Sequence, residues 1–84
     1  MSTMPALDEQ QVRVLVERAL AGRQPRECTL LIEDIARHLD FWQVAVRPDR
    51  AGVRAEDYAR VLTDVEEQLR DEQRAMIILT PVLV

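Results

Sequence analysis

The chain predicts an α+β domain, a small α-β-β-α-β unit with a three-stranded sheet and two helices on one face. Three observations carry that reading. Apolar residues recur at helical spacing near each end of the chain, at Val12, Leu15, Val16, Ala19 and Leu20 and again at Tyr58, Val61, Leu62, Val65 and Leu69. Trp42-Gln43-Val44-Ala45-Val46 alternates with a period of two, as a half-buried strand does. Ala75-Met76-Ile77-Ile78-Leu79-Thr80-Pro81-Val82-Leu83-Val84 is rich in β-branched residues and nearly free of polar ones. A run of that kind reads as a strand buried on both faces.

The elements follow in order. The 84 residues are enough for one domain, 1–84, with 1–6 read as a flexible leader. Asp8 is placed to cap a helix, Gln11 stands where a capping-box partner belongs, and Leu7 and Val12 are spaced as a hydrophobic staple. The first helix is expected over 8–21, with Gly22 ending it in a left-handed conformation.

Residues 28–39 admit two readings. Cys28, Ile32, Ile35, Leu39 and Trp42 repeat at heptad-like spacing, and Glu33-Asp34-Ile35-Ala36-Arg37 suits a helix. With a period of two, Leu31, Ile35 and Leu39 share one face and Leu30 and Ile32 the other. Architecture favours the strand, because without it the sheet is a lone parallel pair. A strand over 29–37 turns through His38-Leu39-Asp40 into the Trp42 strand and completes the sheet.

Pro48-Asp49-Arg50-Ala51-Gly52 is a turn by composition. A second helix is expected from about Ala55 to Asp71, with Glu56 and Asp57 at its positive end. Glu56 with Arg60 and Glu66 with Arg70 are spaced as i,i+4 pairs, each worth ~0.3 kcal/mol. A right-handed crossover then sets the last strand parallel to the second, and beside the first if the unit is a split βαβ.

From about Leu30 to Leu79 the chain resembles the N-terminal domain of the bacterial ribosome maturation factor. The residues that carry the likeness are Trp42-Gln43-Val44-Ala45-Val46, Asp49, and Gly52-Val53-Arg54-Ala55-Glu56-Asp57-Tyr58-Ala59-Arg60-Val61. The family has a hairpin, a turn and a helix opening on a Gly-Val-x-x-Asp-Asp-x-x-Arg-Val pattern. The chain departs from it at Leu79-Thr80-Pro81-Val82, where the family runs into Ser-Ser-Pro-Gly and a second domain. The resemblance implies the same topology and, as the second functional reading, a ribosome- or RNA-associated assembly factor.

Composition narrows the function. All eleven basic residues are arginine and the net charge is −4, which argues against general nucleic-acid binding. A lone cysteine, Cys28, points to a reducing compartment, and the first residues lack a secretion signal. The C-terminal apolar run is about half the ~20 residues a membrane helix needs. The expectation is a cytoplasmic, non-membrane protein without cofactor or metal.

No polar constellation points to an enzyme. His38 could sit beside Asp34 or Asp40 as a general base, but reads better as a solvated hairpin histidine. Cys28 reads as a small buried residue at a strand entrance. Arg47, Arg50 and Arg54 gather before the second helix and form a possible anion site. The stronger signal is apolar. Helices on one side of the sheet leave the other side bare, so Trp42, Met76, Ile78, Val82, Leu83 and Val84 are the expected partner-binding residues. The function read from sequence is a non-enzymatic interaction module that forms a homodimer or binds a protein partner.

Overall fold

A computed structural model describes residues 7–26 and 28–82. The elements are α1 (Glu9–Ala21), β1 (Leu30–Arg37), β2 (Trp42–Pro48), a single 3-10 turn (Ala55–Asp57), α2 (Ala59–Gln73) and β3 (Ile77–Pro81). They form the predicted α-β-β-α-β order with one three-stranded mixed sheet. The 1–6 leader, Leu83 and Val84 lie outside the described residues.

The start of α1 is the capping box seen in the sequence. The Asp8 carboxylate accepts the Gln11 N–H at 2.8 Å, and the Asp8 N–H donates to Gln11 Oε1 at 2.9 Å. Leu7 packs half-buried on the core beside it. The expected left-handed Gly22 is not found; its φ is −82°. That conformation falls instead to Arg74 (φ 52°), which closes α2, while Gly52 takes φ 88° in the turn after β2.

The expected second helix is broken at its start. Asp57 Oδ2 turns back to accept the Arg54 N–H at 3.0 Å, which tightens Ala55–Asp57 into a 3-10 turn. α2 proper begins at Ala59 and runs to Gln73, two residues beyond Asp71. The break also takes Glu56 out of phase with Arg60, and its ion pair is with Arg54 at 3.3 Å.

β1 holds the reason its sequence looked half helical. It pairs antiparallel with β2, and the register shifts between Ile32 and Asp34, so that Glu33 is an extra residue. Ahead of the bulge Leu30 and Ile32 oppose Pro48 and Val46; after it Ile35 opposes Val44. All three therefore face the same side, at spacings of two and then three. This corrects the simple alternation that separated Leu30 and Ile32 from Ile35. The hairpin closes as predicted, with the His38 N–H donating to the Phe41 carbonyl at 2.8 Å.

β3 pairs parallel with β2, from Trp42↔Ile77 to Val46↔Pro81. The strand order is β1-β2-β3, so β3 lies on the far side of β2 from β1, not beside β1 as a split unit requires. Its burial also differs from expectation. Ile77 and Leu79 are buried while Met76 and Ile78 are exposed, so the strand is enclosed on one face only.

The core forms on that face. Leu30, Ile35, Val44, Val46, Ile77 and Leu79 from the sheet meet Val12, Val16 and Leu20 of α1 and Leu62, Val65 and Leu69 of α2. α1 lies against β1, α2 against β3, and the helices touch each other. Among the described residues, one side of the sheet is thus roofed by the helices and the other is left open.

Candidate functional site

The open face follows from strand alternation, since every second residue must point away from the helices. Leu31, Asp34 and Ala36 of β1, Arg47, Ala45 and Gln43 of β2, and Thr80 and Ile78 of β3 form its rows. Small Ala45 lies at the centre, with Leu31 and Ile78 toward opposite corners, each 38 % exposed. The Val82 N–H donates to the Val46 carbonyl at 2.8 Å and carries the alternation of β3 one residue further. The surface is flat and half apolar, with a polar row through it. Gln43 Nε2 donates to Thr80 Oγ1 at 3.1 Å, and Gln43 Oε1 lies 2.9 Å from His38 Nε2.

One end of the molecule carries a second exposed apolar cluster. Leu39, at the tip of the β1–β2 turn, is 98 % exposed, and Met76 is half exposed beside it. With Phe41 and Trp42 they rim an open groove of 190 Å³. The Phe41 ring stacks on His38 at 4.5 Å. Neither Leu39 nor Leu31 stands out in the sequence as a site residue. Leu39 read as a continuation of the β1 pattern, and the place of Leu31 depends on a bulge that leaves no signature in composition.

The predicted partner-binding residues divide. Met76 and Ile78 are exposed, and Val82 is half-buried at the end of β3. Trp42 is not on the open face. It opposes Arg37 and Ile77 on the helix side, packs half-buried against the core, and carries the Arg37 guanidinium 5.6 Å from its ring centre.

The three arginines of the possible anion site each meet a different neighbour. Arg50 pairs with Asp49 at 3.3 Å and Arg54 with Glu56 at 3.3 Å. Arg47, on the open face, donates to the Pro48 carbonyl at 3.5 Å. Asp49 has a structural task as well. Its Oδ1 accepts the Thr29 N–H at 3.0 Å, and its own N–H donates to the Thr29 carbonyl at 2.9 Å, which locks the start of β1 to the end of β2. That backbone donor, more than Arg50, holds the Asp49 carboxyl below its ordinary range.

Two further groups are perturbed. Tyr58 is fully enclosed and its hydroxyl has no hydrogen-bond partner among the described residues. Burial pushes its pKa up, and buried Cys28 nearby adds to the shift. On α2, burial raises the Glu66 carboxyl, while Arg70 and the backbone N–H of Leu79 pull it the other way. Among the described residues no group of three His, Cys, Asp or Glu could hold a metal, and no helix is long and apolar enough to cross a membrane.

Comparison of the chain with protein-family models, curated proteins and solved structures finds no match.

Proposed function

We propose that the domain is a non-enzymatic interaction module, a small subunit or adaptor that docks a second protein chain on the open face of its sheet along β3. The partner is another copy of the chain. One observation carries the reading. Both helices lie on the same side of the sheet, and the uncovered side presents Leu31 and Ile78, with Met76 at its margin. A flat surface of mixed polarity with apolar anchors is the make-up of a non-obligate interface.

The test is the mass in solution of the wild-type chain and of Ile78→Asp. A charge placed on the open face leaves the fold intact and lowers the mass. An equal mass for both at every concentration overturns the reading. The ribosome- or RNA-associated alternative relies on Arg47, Arg50 and Arg54 and is the weaker one, because Arg50 and Arg54 are already neutralised by adjacent acids.

A further inference from the structure

The side chains of the open face stand on a grid set by the strand register. Asp34, Ala45 and Thr80 are abreast in its middle row. Leu31 and Arg47 are abreast in one outer row, and Gln43 and Ile78 in the other. A line from Leu31 through Ala45 to Ile78 therefore crosses the face from corner to corner. Asp34 and Arg47 flank that line between Leu31 and Ala45, one on each side. Gln43 and Thr80 flank it in the same way between Ala45 and Ile78.

Asp34 and Arg47 are the charged members of this grid, and the chain itself neutralises neither. Among the described residues Asp34 makes no ion pair, and Arg47 reaches only the Pro48 carbonyl, at a long 3.5 Å. The chain as a whole is acidic, with a net charge of −4, so two copies repel each other over most approaches. The grid is the exception, because its one anion and its one cation cancel.

We propose that a second copy docks face to face about a two-fold axis along this line, with Asp34 of each copy against Arg47 of the other. The inference rests on the reading that the open face binds another copy, and it fixes how the two faces meet. A two-fold axis lying in the interface exchanges whatever stands on its two sides. Ile78 then meets Ile78 and Leu31 meets Leu31 on the axis, and the hydrogen-bonded Gln43–Thr80 pair meets its own equivalent. The other symmetric arrangements fail on charge. An axis along β2 stacks Arg47 on Arg47, and one across the strands at Ala45 stacks Asp34 on Asp34. The opposite diagonal sets Asp34 against Gln43 and Arg47 against Thr80, which leaves both charges unpaired. Along the chosen line the strands of the two copies cross steeply, close to the orthogonal packing of sheets, with an intervening layer about 10 Å thick. An aspartate and an arginine together reach across a layer of that depth.

Charge reversal tests it. Asp34→Arg alone sets arginine against Arg47 at both pairings, and Arg47→Asp alone sets aspartate against Asp34. Each single variant weakens self-association in sedimentation experiments about tenfold, from two like-charge contacts. An equimolar mixture of the two variants restores opposite charges at both pairings and returns the affinity to within about threefold of wild type. Recovery on mixing also rules out misfolding as the cause of the loss. A mixture that fails to recover overturns the proposal. Association that ignores both reversals but falls with Ile78→Asp overturns the axis, while leaving the open-face reading in place. A wild-type chain that stays monomeric at all concentrations overturns both.

Discussion

On the helix-covered side of β2, Val44 and Val46 are wholly enclosed, flanked by Ile35 on one strand and Leu79 on the other. On the opposite side of the same strand, Gln43, Ala45 and Arg47 lie half-exposed between Leu31 and Ile78. The backbone is shared, so the difference between the faces is one of side chains and of what covers them. The covered face holds the apolar area whose removal from water stabilises the fold, at roughly 25 cal/mol per Å². The open face contributes little of this and is free to meet another chain.

Substitutions divide along that line, and the largest effect belongs to the covered face. Leu79→Ala removes a buried side chain between the sheet and α2 and should lower stability by about 2–5 kcal/mol in urea denaturation. Its neighbour on the open face behaves differently, with Ile78→Ala expected to change stability by less than about 1 kcal/mol. Comparable losses at the two positions would erase the distinction between the faces.

Tyr58 gives a smaller effect of opposite sign. Its hydroxyl is sealed in the core without a partner, so Tyr58→Phe should raise stability by about 1 kcal/mol. In a domain of this size that is a rise of about 4–8 °C in Tm. A loss on substitution would mean that the hydroxyl has a bonding partner.

The smallest effect lies at the rim of the covered face. Burial raises the Glu66 carboxyl, so the folded state holds its proton to higher pH than the unfolded chain does. Stability from this group is present below its unfolded pKa and is lost as pH rises through its folded value. Glu66→Gln removes that dependence. The difference in Tm between variant and wild type should therefore shift in the variant's favour as pH rises from acid to neutral. A shift in favour of wild type would show that Arg70 and the Leu79 N–H dominate instead.

Much of the covered face was legible in the sequence. Asp8 and Gln11 announced the start of α1, the Tyr58-Leu62-Val65-Leu69 stripe gave α2 its buried side, and Trp42–Val46 alternated as β2 does. The architecture followed from the number of strands a stable sheet requires. The open face was legible only in part. Met76 and Ile78 could be marked as one of two alternating sets, but which set faced solvent depended on the helices. Trp42 was misplaced for the same reason, since parity says that it opposes Phe41 without saying which side is roofed.

The bulge at Glu33 was the least legible feature. Two apolar spacings, from Leu30 to Ile32 and from Ile32 to Ile35, mix the periods of strand and helix, and only the register with β2 resolves them. The break before α2 was hidden in a similar way. Asp57 was read as favourable to a helix dipole, whereas its carboxylate turns back to the Arg54 N–H.

The central claim is that the open face binds a chain while the covered face folds the domain. Light scattering on wild type and Ile78→Asp, with circular dichroism and thermal melts on the same samples, tests it most directly. The account predicts a wild-type mass above the 9.7 kDa of a single chain. It predicts that Ile78→Asp halves that mass or lowers it further, with an unchanged spectrum and melting curve. A wild-type mass of 9.7 kDa that the substitution leaves unaltered would contradict it.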